Sequence, residues 1–360
     1  MTDQSIFGHV MDRRRLIASA AVLGAAALVP GIARAQSGEL VVSNWGGDWN
    51  ERITKGFEEP AFAASAMRII HDLAPVPERK AKLLAERRLP RSSVDVTWLS
   101  DADAYEMSAQ GVLETLDMSR IPSASHVIEK LRRPYFIPAA YGGVVLLYNP
   151  ARIPQPPTSF ADLWNPKYAG RVGIIDQLYF NYIYAAALSH GGSMGDVSKA
   201  FPALLEMKKQ VQPRLYPSRQ ALAAAFKAEE IWISANYSAR AIQWEKEGLP
   251  LRWSYPKEGA VAISFGAGIP KRARNLDSAY AYLEAMLQPK AMGAISLATS
   301  YAVATDNADV PVEDRKRLEF TADQIAKLNF VDYPYAAKSD AQWIEWWNKE
   351  VGSKLNVQIV

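Results

Sequence analysis

Residues 39–59 read ELVVSNWGGDWNERITKGFEE. Leu40-Val41-Val42 leads through Ser43 to Asn44-Trp45, a Gly46-Gly47 pair breaks the run, and an amphipathic pattern starts at Asp48. That order predicts a strand over 39–45, a glycine turn and a helix from about 48 to 59. The same rhythm continues outward. A second strand is expected over 67–73, a helix over 77–88 behind a proline in its first turn, and a third strand over 94–99. Ser100 or Asp101 is placed to cap the next helix, through Gln110. Strand–helix–strand–helix–strand over some 70 residues is the nucleus of an α/β layer with parallel strands.

A second nucleus follows. Residues 141–148 form a long apolar strand, after which Pro150, Pro154, Pro156 and Pro157 exclude regular structure. Strands are expected at 172–175, 231–235 and 260–269, with helices at 178–189, 196–209, 219–228, 238–247 and 276–288. In the tail, Trp343, Trp346 and Trp347 share one helical face, spaced for packing against the second nucleus.

Composition narrows the function. The chain has 360 residues, 41 Lys+Arg against 38 Asp+Glu and no Cys. It is long enough for about two domains, lacks the basic excess that grips nucleic acid, and cannot carry disulfides, a thiolate nucleophile or a cysteine-ligated metal. At the N-terminus, Arg13-Arg14-Arg15 precede an Ala-rich apolar run over 16–29, and Ala33-Arg34-Ala35 is a small-x-small cleavage pattern. Residues 1–35 therefore read as an export signal, with consecutive arginines that favour the twin-arginine route. Its removal takes four Arg and two Asp, leaving 37 basic against 36 acidic residues. With no cysteine to lipidate, the expected product is a soluble periplasmic protein.

Other motifs carry less. Gly191-Gly192-Ser193-Met194-Gly195 matches the G-x-S-x-G nucleophile elbow, which would make this an exported α/β hydrolase acting through Ser193. The segment before it is helical in pattern, however, so the glycines read as a helix end. Gly266-Ala267-Gly268 lacks the third glycine of a dinucleotide fingerprint. His9, His71, His126 and His190 are isolated, so no metal site is expected, and the basic run 79–91 reads as a solvated helix face. Asn44-Trp45-Gly46-Gly47-Asp48 is the most informative stretch. Strand-end loops hold ligands in open α/β sheets, and glycines let the backbone approach them.

Four segments carry a resemblance. Val41-Val42-Ser43-Asn44-Trp45 looks like the first strand and ligand loop of the periplasmic solute-binding proteins of ATP-driven importers, polyamine-binding type. Val94-Asp95-Val96 through Ser100 looks like their third strand and ligand turn. The segment Ala161-Asp162-Leu163-Trp164-Asn165-Pro166-Lys167-Tyr168-Ala169-Gly170 is similar to their D-L-W-x-P-x-Y-x-G segment. Pro256-Lys257-Glu258-Gly259, after Trp253, resembles their W-P-K-E-G stretch. The resemblance implies a two-lobed type II periplasmic-binding-protein fold, each lobe a mostly parallel sheet flanked by helices, with two crossovers at the hinge. Lobe 1 would comprise 36–143 plus 266–309, and lobe 2 would comprise 144–265 plus 310–360. It further implies a small organic solute held by closure of the lobes, and a membrane permease and ATPase as partners. A monomer without nucleic-acid partner, cofactor or catalysis is expected.

The family's acidic pair aligns here with Tyr179 and Tyr182, its later Trp with Ala235 or Asn236, and its last Trp and Asp with Ile263 and Phe265. Three carboxylates are missing from the pattern, which makes polyamine specificity doubtful, because a cation needs counter-charge on leaving water. Asp101 or Asp176 would restore one if the alignment slipped. The expected ligand-binding lining is Trp45, Gly46, Gly47, Ser100, Tyr141, Tyr179, Tyr182, Asn236, Tyr237 and Ser264. It is aromatic and polar but poor in acid, suited to a neutral, zwitterionic or anionic solute, with Arg219 or Arg240 available to a carboxylate.

Overall fold

The computed structural model describes residues 38–352. The export signal read over 1–35 lies outside them. Strand β1 (Gly38–Asn44) is followed by helix α1 (Asp48–Ile53), a π-helical turn at Thr54–Glu58 and α2 (Glu59–Phe62). The helix expected over 48–59 is thus interrupted. Pro60 offers no N–H to the Gly56 carbonyl, so the ladder widens for one turn before resuming. Then come β2 (Met67–Leu73), α3 (Val76–Glu86), β3 (Val96–Ser100) and α4 (Asp101–Ala109). Ser100 caps α4 as expected, its hydroxyl accepting the Asp103 N–H.

After three short 3₁₀ turns, β4 (Ile137–Tyr148) runs for 12 residues, every one buried. The second half contains β5 (Val172–Ile175), α5 (Tyr179–Ser189), α6 (Ala200–Gln210), β6 (Arg214–Tyr216), α7 (Arg219–Lys227), β7 (Ile233–Tyr237), α8 (Ser238–Lys246) and β8 (Arg252–Ser254). Strand β9 (Val261–Gly268) leads into α9 (Leu276–Met286), α10 (Pro289–Thr299) and β10 (Ala302–Val303). The chain ends with α11 (Val312–Leu318), α12 (Ala322–Ala326) and α13 (Tyr333–Trp347).

The strands form one path in the order β2-β1-β3-β9-β4-β7-β5-β6, with β8 and β10 attached to β4. Strands β2, β1 and β3 are parallel, as are β6, β5 and β7. Between these groups β9 and β4 run antiparallel to their neighbours, joining the two lobes. Parallel nuclei linked by long crossing strands make the two-lobed α/β architecture.

Two large cores hold the sheet, the first extending into the second half through Ile175, Phe226 and Trp244. One collects Leu40, Val42, Trp98, Tyr282 and Ile295, and runs along β4 to Phe226. The other packs β5 and β7 between α5, α6 and α13. There Trp343 and Trp347 are buried and Trp346 lies against Phe201, the packing expected of the tail tryptophans.

Candidate functional site

A cavity of about 390 Å³ opens where strand ends from both groups meet. The β1–α1 turn supplies Trp45, Asp48, Trp49 and Arg52 to its wall, and the β3–α4 turn supplies Ser100 and Asp103. From the other side come Arg219 at the start of α7 and Tyr237, Arg240 and Gln243 around the start of α8. The crossing strand β9 adds Ile263 and Phe265, and the end of α10 adds Thr299 and Tyr301. Ligand sites belong at such strand ends, where helix starts present unused N–H groups.

The floor is aromatic. Trp45 meets Trp49 edge-on at 5.4 Å between ring centroids and Phe265 at 5.9 Å. Phe265 in turn lies 5.1 Å from Tyr301, with Trp98 behind Trp49. Tyr301 fits because β4 carries Gly142 beneath it: a Cβ there would come within 3.0 Å of its ring.

Arg79 governs the chemistry of this floor. It belongs to the run read as a solvated helix face, yet it is 1% exposed. It donates to the Ser43 hydroxyl (3.0 Å), the Ser43 carbonyl (3.1 Å), the Thr97 hydroxyl (3.1 Å) and the Trp98 carbonyl. This ties the ends of β1 and β3 together. The sequence pattern misled because the remaining positions of α3 are largely polar and solvated, while one arginine turns inward. Burial pulls the Arg79 guanidinium down to about 10, so it stays charged at neutral pH. It lies 5.2 Å from the Trp45 ring centroid, so this indole already has a cation against it.

The charges facing the cavity are unequal. Asp48 pairs with Arg52 at 3.5 Å, and Asp103 pairs with Lys80 at 3.3 Å while accepting the Ser100 hydroxyl at 2.7 Å. Arg219 stands over the Tyr237 ring, 5.7 Å from its centroid. Among the described residues neither Arg219 nor Arg240 makes an ion pair. Burial first, then the positive charges of Arg219 and Arg52, lower the Arg240 pKa, with Tyr301 and Asp48 acting the other way.

Of the ten residues anticipated for the lining, Trp45, Ser100 and Tyr237 line this cavity. Gly46 and Gly47 are exposed in the turn beside it, Gly47 facing a smaller hollow with Asn50 and His71. The other five have different occupations. Tyr141 is buried on β4 with its ring toward Phe320. Tyr182 lies in the second core, accepting the Ile175 N–H (3.2 Å) and donating to the Ala235 carbonyl (3.0 Å). Tyr179 donates to Asp340 in the tail helix. Asn236 is fully buried on β7 and accepts the Tyr237 N–H. Ser264 donates through its N–H and hydroxyl to Asp101 at 3.0 and 3.1 Å. Asp101 therefore faces β9 and the Tyr333 hydroxyl, and Asp176 accepts the Trp347 indole N–H; neither lines the cavity.

Sequence reasoning missed Asp48, Trp49, Arg52, Asp103, Gln243, Thr299 and Tyr301. The first three follow Gly46-Gly47 on α1, so the turn itself was the available signal. Thr299 and Tyr301 arrive from a distant helix end, with nothing local to mark them.

Ser193 lies in a turn behind α5, where it accepts the Gly195 N–H at 3.3 Å. No strand precedes it, and the neighbouring His190 bonds to Ser189 and the Ala186 carbonyl. The elbow geometry is missing. A larger apolar groove, about 460 Å³, lies beside Leu116, Ile121 and Phe136 at the start of β4, with none of the residues that line the first cavity.

Residues 97–329 match the family model of bacterial extracellular solute-binding proteins. The chain is 24% identical over 274 residues to spermidine/putrescine-binding periplasmic protein 1 of Haemophilus influenzae, covering 72% of this chain and 74% of that one. It is 23% identical over 261 residues to the gamma-aminobutyric acid-binding protein of Pseudomonas aeruginosa, covering 69% and 70%. Among solved structures it resembles an ABC transporter substrate-binding protein from Bradyrhizobium japonicum, with a TM-score of 0.74 and 21% identity, covering 86% of this chain and 99% of that one.

Proposed function

This chain belongs to the bacterial extracellular solute-binding proteins, and we propose that within them it is the exported, soluble receptor of an ATP-driven importer. It takes a small organic solute into the cleft between two lobes, residues 36–143 plus 266–309 and 144–265 plus 310–360, and hands it to a membrane permease with its ATPase. One observation carries the reading. The cavity wall is shared between the β1–α1 and β3–α4 turns on one side and the starts of α7 and α8 on the other, with β9 crossing between. A solute touching both sides binds the closed form more tightly and so shifts the population toward it.

Relatives named for spermidine and putrescine and for gamma-aminobutyric acid support a solute receptor, but they differ in the charge of what they are named for. The arginine-led pattern over 13–35 supports export, by the twin-arginine route, with release after Ala35. No helix among the described residues is long and apolar enough to cross a membrane.

Small-angle scattering of the purified protein tests the reading. A solute that raises the unfolding temperature should also shrink the radius of gyration, as the lobes close. A stabilising solute that leaves the radius unchanged would argue against clamping, and esterase activity lost on Ser193→Ala would argue for the hydrolase.

A further inference from the structure

Building on the receptor reading, we propose that the cleft selects solutes with a carboxylate or similar anionic head, held between Arg219 and Arg240, and excludes diamines. Arg219 opens α7 and Arg240 sits in the first turn of α8. Both line the cavity, and neither has a carboxylate partner among the described residues. The two acids present are already engaged, Asp48 by Arg52 and Asp103 by Lys80 and the Ser100 hydroxyl. An anion entering between the arginines gains charge-assisted hydrogen bonds and relieves the repulsion of two like charges.

The aromatic floor points the same way. A cation is drawn to an indole face by the ring's negative face. Trp45 already has the Arg79 guanidinium 5.2 Å from its ring centroid, and Tyr237 has Arg219 over its ring. A diamine laid on Trp45 or Tyr237 would meet a ring that already has a cation against it. An uncharged organic body packs there without that penalty.

Closure follows from the same charges. Arg52 belongs to the lobe of α1, whereas Arg219 and Arg240 belong to the lobe of α7 and α8. With Arg52 paired to Asp48, the unpaired charges lining the cavity among the described residues are those of Arg219 and Arg240: closing the lobes on a cation brings it against both, whereas an anion is attracted to them. Ligand charge thus becomes the condition for closing.

A four-carbon series isolates charge from length: succinate, γ-aminobutyrate and putrescine, with glutamate, pyruvate, phenylacetate and spermidine alongside. Thermal unfolding and calorimetry on the purified protein should show a shift of several degrees with at least one carboxylate and none with putrescine or spermidine at equal concentration. Arg219→Met and Arg240→Met should each weaken that carboxylate roughly thirtyfold or more. Their unfolding temperatures without solute should stay within a degree or two of the parent, since both side chains are only partly buried and neither makes an ion pair among the described residues. Arg240→Lys, which keeps charge but not the fork, should fall between. Stabilisation by a diamine and by no carboxylate would overturn the assignment while leaving the receptor reading standing. Unchanged carboxylate affinity in both Met variants, or silence toward every carboxylate tested, would also overturn it. The scattering experiment fails independently, because it asks only whether the stabilising solute, of whatever charge, closes the lobes.

Discussion

Asp101→Asn should make the protein more stable at neutral pH and less stable in acid. Asp101 is 5% exposed, at the start of α4 against β9 and the Tyr333 hydroxyl of α13. Burial dominates and pushes its pKa from 3.8 up to about 6, despite bonds from Ser264 and Tyr333 that favour the anion. A raised carboxylate pKa means that the folded state penalises the charged form. Stability is therefore fully present below about 3.8 and falls as pH rises through about 6. At 1.36 kcal/mol per unit, the full penalty is about 3 kcal/mol. Asparagine does not titrate and escapes it. It can still accept from Ser264, but its amide N–H₂ would face the Ala102 N–H that Asp101 now accepts at 3.0 Å, a loss of about 1 kcal/mol at every pH. The variant should thus be about 1 kcal/mol less stable near pH 3 and about 2 kcal/mol more stable near pH 7, crossing over near pH 4.5. Urea unfolding of both proteins at four pH values between these limits measures the difference directly. Common titrations cancel in that difference, so a gap that does not vary with pH would refute the argument. So would a variant that is the weaker protein at pH 7.

Three further perturbations read other parts of the frame. Arg79→Met should cost about 3 kcal/mol in urea unfolding, because the Ser43 and Trp98 carbonyls lose a buried donor; a loss below about 1 kcal/mol would mean the inward arginine is dispensable. His71 bonds at 2.7 Å to Glu58, a carboxylate 2% exposed, and this raises the His71 pKa above 6.5. Its contribution is full below 6.5 and is lost as pH rises through the raised folded value, so the stability gap between parent and His71→Gln should narrow as pH rises above about 6.5. Gly259 adopts φ +88°, and a Cβ there would lie 1.9 Å from the Lys327 carbonyl oxygen. Gly259→Ala should lower stability by about 3 kcal/mol or more, and an unfolding temperature matching the parent would show that the turn can relax.

The regular alternation of strand and helix was legible because each element carries its own period and punctuation. Strands β2 and β5 fall on the residues expected, and Ser100 and Arg219 open their helices where capping and turn signals placed them. Direction was not legible. The buried run of β9 has the pattern of a parallel core strand, yet it runs antiparallel to β3 and β4, since orientation is fixed by where the chain crosses rather than by side-chain period. Within the cleft, Trp45, Ser100 and Tyr237 were visible as the last or first residues of strand–helix junctions. Tyr301 was not: it reaches Phe265 only after α10 ends with Ser300 at φ 61°, some 250 residues downstream of Trp45. Of the five anticipated residues found elsewhere, Tyr141, Asn236 and Ser264 are turned toward other neighbours by alternation along β4, β7 and β9, and Tyr179 and Tyr182 by the faces of α5 they occupy.

The acid-poor pattern is informative for the same reason that single residues were not. Of the three carboxylates absent from the aligned positions, two are replaced by Tyr179 and Tyr182, which pack against the tail helix and the second core, and the third by Phe265, which adds an apolar ring to the cavity floor. If the cleft held a cation, losing its counter-charges would leave that charge desolvated without compensation. The structure instead places cations at the wall and one behind the floor, with the two lining acids each tied to a basic neighbour. Removing acids and exposing unpaired arginines are separate changes, from different segments of the chain, and both move the cleft potential in one direction. A neutral solute would explain the first and leave the second as an uncompensated repulsion; an anionic head accounts for both.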